Sequence, residues 1–198
     1  MNSQLSNSIA SPVAAGPALR WLRIGGIVIA GSILLAVCAH LAVPLWFTPV
    51  PLTVQPFAVL LLGLLLSPRL AFATLAAYLV EGAMGLPVFA PSPAISGVAH
   101  LVGPTGGYLI AYPLAACLIS SLRLRMRPRF INTFIVAAAG DLLILLCGAL
   151  WLAVFSHSSL RNALALGMLP FLPGDALKVA TAAGCAAGLR LRRRRANA

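Results

Sequence analysis

Residues 123–155 read RLRMRPRFINTFIVAAAGDLLILLCGALWLAVF. Arginines stand at positions 123, 125, 127 and 129, and the run from Phe130 to Phe155 then holds no base and one acid, Asp141. At a rise of about 1.5 Å per residue that run exceeds the ~30 Å hydrocarbon core of a bilayer. Basic residues massed at one end of such a run mark the side retained in the cytoplasm. The stretch therefore reads as a transmembrane helix entering from the inside.

Five further apolar runs extend outward from it: Leu22–Val43, Phe57–Leu66, Leu70–Met84, Gly107–Leu122 and Leu169–Leu189. Phe57–Leu66 is short for a span, so its helix is expected to begin within the preceding Pro-rich stretch or to lie tilted among its neighbours. Arg20 and Arg23 precede the first span, and Arg69 falls between the second and third. Arg190 and Arg192–Arg195 follow the last. With six spans these bases share one side with the 123–129 cluster, leaving Arg161 opposite and Lys178 inside a span. Five spans would separate the terminal clusters. The expectation is an all-α membrane protein with six transmembrane helices and both termini cytoplasmic, in a bacterial inner membrane. Residues 1–19 read as a disordered cytoplasmic tail, 20–190 as the membrane domain and 191–198 as a basic tail.

Composition agrees. Only 9% of the 198 residues are charged and 61% are hydrophobic, with a mean hydropathy of +0.99. A soluble domain carries about 25% charged residues. The net charge of +11 does not indicate nucleic acid, because the bases lie in short clusters between apolar runs without interleaved aromatics. They are expected to anchor the topology, with contact to anionic membrane lipid or a cytoplasmic partner as the alternative. Cys38, Cys117, Cys147 and Cys185 fall in separate apolar runs without metal-ligand spacing. No metal or other cofactor is expected.

Glu81, Asp141 and Asp175 are all the acids of the chain, and each lies within an expected span. An acid there costs roughly 2.5–3.5 kcal/mol on insertion scales and points to function. Asp175 and Lys178 share a helix face at i,i+3. They read either as an internal ion pair or as an acceptor and donor for a polar ligand. Counted from the outer ends of their spans, both lie at the level of Glu81. Asp141 is deeper and follows Ala137-Ala-Ala-Gly140, where a helix-packing role is expected. An intramembrane aspartyl hydrolase built on Asp141 and Asp175 is disfavoured, since Lys178 would hold Asp175 ionised and no Gly-x-Gly-Asp context exists. The connections 44–56 and 85–106 carry no Lys, Arg, Asp or Glu. Trp46, Phe47, Phe57, Thr53 and Gln55 give the first of them the make-up of a small-molecule site, though Trp46 and Phe47 also suit an interfacial belt. Gly103-Pro-Thr-Gly-Gly-Tyr108 lacks the Lys of a phosphate loop.

Four motifs, Thr48-Pro-Val-Pro-Leu-Thr-Val-Gln-Pro-Phe57, Gly85-Leu-Pro-Val-Phe-Ala90, Gly103-Pro-Thr-Gly-Gly-Tyr108 and Pro173-Gly-Asp-Ala-Leu-Lys178, occur in the order seen in the BioY family. Over roughly 36–187 the chain resembles these biotin-specific S components, the substrate-capture subunits of energy-coupling-factor transporters. The resemblance implies an S-component-type bundle that binds biotin near the outer surface. It also implies association with a transmembrane coupling protein and two ATPases, although some members are thought to act without them. By resemblance, Asp175 accepts from a ureido N–H and Lys178 donates to the ureido oxygen or the carboxylate. Judged by position and not by a motif, Phe57, Phe89, Tyr108 and Trp151 are candidate walls and Gln55 a polar contact; Glu81, near an interface, reads as a further polar contact or as a solvated or helix-capping acid. Small residues spaced by four, Gly26/Ala30 and Ser32/Ala36, are candidates for the coupling-protein interface, and internal packing explains that spacing equally well. An S component for another vitamin is the alternative.

Overall fold

The computed structural model describes residues 17–92 and 96–196. Among these, eight helices enclose one small hairpin. Helix α1 spans Pro17–His40, with the proline at its first position, where the missing N–H costs nothing. Strands β1 (Ala42–Val43) and β2 (Leu52–Thr53) pair antiparallel, with Ala42 opposite Thr53. Next come α2 (Gln55–Leu65), α3 (Pro68–Ala83), the single turn α4 (Ala99–Val102) and α5 (Gly106–Arg125). Helices α6 (Phe130–Phe155), α7 (Leu160–Gly167) and α8 (Leu172–Ala196) complete the chain.

Three helices, α1, α5 and α6, are long and apolar enough to cross a membrane alone; α7 and α8, bent by 55°, make a fourth crossing if taken as one span. The apolar run Phe130–Phe155 coincides with α6. Residues 1–16 of the expected tail lie outside the described residues, whereas 17–19 begin α1. At the other end α8 runs on through the basic residues to Ala196. Arginine is a good helix former, and cations at a helix C-terminus complement its dipole. The first apolar run ends earlier than expected, at His40, because the chain turns into the hairpin at Ala42. Helix α7 was not anticipated. Its N-cap, Ser159, accepts from the Asn162 amide at 3.4 Å.

Helix α2 is the hub. Its eleven residues rise only ~16 Å, and Ala58, Val59, Leu60, Leu62 and Leu64 are all buried. It packs on α5 and α8, with α1 and α6 alongside. Two apolar clusters meet at Phe57, one around Tyr78, Tyr112 and Ile144, the other around Leu60, Ile119 and Val136. Gly63 permits the α2–α5 approach, since a Cβ there would lie 3.0 Å from the Ile119 side chain and 3.1 Å from the Ala116 carbonyl. Gly63→Val is therefore expected to destabilise the protein by about 1–3 kcal/mol, read as a lowered thermal unfolding midpoint in detergent.

Candidate ligand-binding site

A cavity enclosing about 600 Å³ of empty space, mouth included, opens where the hairpin, α2, α5, α6 and α8 converge. The hairpin contributes Val50, Pro51 and Thr53, and α2 begins at its rim with Gln55 and Pro56. Helix α5 supplies Tyr108, Leu109 and Tyr112, and α6 supplies Asp141, Ile144 and Leu145. Phe89, Ala90, His100 and Thr105 close one side, with Phe171, Asp175 and Lys178 opposite. The walls are mainly apolar, with a few polar groups converging, as small-molecule sites generally are.

Asp175 is 2% exposed and pairs with Lys178 Nζ at 2.7 Å. It stands in the first turn of α8, where the helix dipole favours a negative charge. Pro173 in that same turn forfeits no bond. Gln55 is likewise buried. Its Nε2 donates to Tyr78 Oη at 2.6 Å, and Tyr78 donates in turn to the Val88 carbonyl at 2.8 Å. Phe89 stacks edge-on against Tyr78 and tilted on His100. The Tyr108 hydroxyl donates to the Gly167 carbonyl, and its ring lies over Gly148, where a Cβ would collide with it. Helices α5, α6 and α7 are thereby locked together beside the cavity.

Of the residues expected to bind ligand, Asp175, Lys178, Gln55, Phe89 and Tyr108 share this cavity. Three others do not. Phe57 packs between the two apolar clusters. Trp151 turns the other way, donating to the Gly103 carbonyl at 2.8 Å and filling the space above Gly106 and Gly107. Those glycines thus admit an indole, not a ligand. Glu81 accepts from Ser32 across α3 and α1, which satisfies a half-buried acid within the helix packing. The Ser32/Ala36 pair accordingly faces inward, with Ser32 buried and Ala36 against the core, whereas Gly26 and Ala30 are exposed. Asp141, expected to pack helices apart from Asp175, lines the same cavity as Asp175. Trp46 is 94% exposed and stacks only on Phe47, away from the site.

Sequence reading missed Tyr112, Thr105 and His100. Tyr112 lies one turn beyond Tyr108, so i,i+4 spacing was a usable signal. His100 and Thr105 sit in or beside a four-residue helix with no periodicity to read.

A short-helix hub and a partly polar cavity at one end of an apolar bundle define a class, the membrane-embedded small-molecule-binding subunit. The backbone matches a crystal structure of the S-component for biotin from an ECF-type ABC transporter, with a TM-score of 0.78, 26% identity, and coverage of 86% of this chain and 92% of that one. The chain belongs to the BioY family, whose model matches residues 17–195. It is 43% identical over 134 residues to the probable biotin transporter BioY of Pyrococcus horikoshii, covering 68% of this chain and 76% of that protein. It is 37% identical over 150 residues to the biotin transporter BioY of Thermotoga maritima, covering 76% and 85% respectively.

Removing the Tyr78 hydroxyl strands both the Gln55 amide and the Val88 carbonyl. Tyr78→Phe is expected to cost the unliganded protein about 1–3 kcal/mol, measured by thermal unfolding.

Proposed function

We propose that this chain binds biotin in the cavity between the hairpin and α8 and carries it into the cell as the substrate-specific subunit of an ECF-type transporter. The observation that carries the reading is the buried Asp175–Lys178 pair, which faces the cavity beside Gln55 among aromatic walls. Biotin presents a bicyclic apolar body, a ureido group with two N–H donors and one acceptor, and a carboxylate tail. Asp175 accepts from one ureido N–H, and Lys178 donates to the ureido oxygen or the tail. Phe89 and Tyr108 flank the rings. Families of this kind transport their ligand and do not convert it, so the polar groups hold and release.

In this reading the hairpin side faces out, in a bacterial inner membrane. Helices α1, α2, α3, α5, α6 and α8 are the six spans, and α4 and α7 lie outside. The arginines of α5, the 125–130 connection and α8 are then cytoplasmic, as are both termini. Capture from outside is followed by movement of the hairpin and release within. A coupling protein and two ATPases are the partners, with action alone as a second mode. Gly26 and Ala30, exposed on α1 with no atom within 4 Å of a Cβ built on Gly26, offer the small-residue face on which a partner helix can pack closely.

Titration of detergent-solubilised protein with labelled biotin tests the site. Asp175→Asn and Lys178→Ala should each weaken binding by about a hundredfold or more, because each leaves a desolvated partner behind. Glu81→Gln and Trp151→Phe should stay within about threefold of the parent, since neither lines the cavity. If both α8 variants bind like the parent, biotin sits elsewhere. Gly26→Trp should abolish co-purification with the coupling protein and leave biotin binding intact; loss of both indicates misfolding.

A further inference from the structure

Asp141 is 6% exposed, faces the ligand cavity, and has one carboxylate oxygen, Oδ1, without a hydrogen-bond partner among the described residues. A buried polar atom left unpaired costs about 1–3 kcal/mol, more when charged. Helix packing, the expected reason for an acid at this point, gives Oδ1 no bond. The side chain lies on one face of α6 with Ile144 and Leu145, both of which also line the cavity.

The groups that face it leave the deficit standing. On α8, the Lys178 ammonium bonds Asp175 Oδ1. On α5, the Tyr108 proton goes to the Gly167 carbonyl, and the buried Tyr112, also in the cavity lining, makes no side-chain hydrogen bond among the described residues. On α4, the His100 Nε2 meets the Ala90 carbonyl at 3.2 Å and its Nδ1 has no partner among the described residues. On α2, the Gln55 amide donates to Tyr78. Helix α7 carries only Arg161 among charged residues, exposed and off the cavity. The cavity therefore holds two carboxyl groups, from α6 and α8, against one ammonium. Such a site calls for a ligand that brings more donors than acceptors at its buried end.

We infer that Asp141 is a second acceptor for the ligand head group, taking the N–H on the edge opposite Asp175, and that it selects head groups in which two N–H donors flank one acceptor. A cyclic urea is that pattern: each N–H meets a carboxylate from a different helix, and the oxygen between them meets Lys178. The assignment rests on the cavity being the biotin site, and makes Asp141 a specificity residue within it.

The test pairs Asp141→Asn and Asp141→Ala with two analogues of biotin, each having one ureido N–H replaced by CH₂. Both variants should keep the parent's unliganded thermal midpoint or exceed it, since an orphaned buried carboxyl is removed. Both should bind biotin about ten- to a hundredfold more weakly, the scale of one hydrogen bond to a charged group. Against one of the two analogues, the one lacking the N–H that Asp141 accepts, parent and variant should bind alike. Unchanged biotin affinity in Asp141→Asn overturns the inference and leaves the biotin site standing. An equal loss against biotin and both analogues also overturns it, by showing that Asp141 acts on the shape of the cavity. A parent that binds no biotin overturns both readings.

Discussion

Hydrocarbon offers no partner to a backbone carbonyl, and that constraint decides how a helix as short as α2 can stand at the centre of a membrane bundle. Packed among its neighbours, α2 leaves backbone groups at its ends that need partners within the protein. The protein supplies the missing donors itself. At the C-terminal end, Ser120 Oγ donates to the Leu66 carbonyl at 2.6 Å and Arg123 to the same oxygen at 3.4 Å, while Arg190 donates to Leu64 at 3.3 Å. At the other end Pro56 has no N–H to leave unpaired, and Val54 is tied to the Leu41 carbonyl at 3.2 Å. Helices α5 and α8 thus close α2 from below, and α1 holds it from above through the hairpin. Because α2 stops short, the space above its N-terminus is left to the cavity.

That space is polar only where it must be. A buried ion pair contributes little net stability when its desolvation is counted. In the proposed reading the Asp175–Lys178 pair is instead a recognition device, held in the first turn of α8. Its surroundings are set by elements far apart in sequence: the hairpin, the first two turns of α5, the middle of α6 and the break between α7 and α8. Each offers up to three side chains, and none is a site alone.

The long helices were legible because apolar length and charge pointed the same way. Phe130–Phe155 is bounded by arginines on one side and by a polar turn on the other, and α6 occupies that run. Asp175 and Lys178 were legible because a buried acid and base at i,i+3 have few explanations. Trp151 and Phe57 were not. An aromatic residue in an apolar helix has no sequence mark that separates a cavity wall from core packing, and only the neighbouring glycines, 106 and 107, show which way the indole turns. Asp141 was assigned away from the site on depth counted along one helix. Depth along an axis says nothing of which helices cross at that level, and α6 and α8 meet there. Ala42 and Val43 read as the end of the first span and 44–56 as a connection, because two-residue strands are too short to show alternation.

The hydrogen-bond chain from Gln55 through Tyr78 to Val88 has a mechanical consequence. Gln55 belongs to the hub, Tyr78 to α3, and Val88 to the segment that carries Phe89 over the cavity. One hydroxyl is the hinge pin of all three. The 87–90 segment cannot lift without disturbing Tyr78, and the carboxamide of Gln55 then loses the contact that aims it. Opening the cavity and blunting its polar grip are in this sense a single movement.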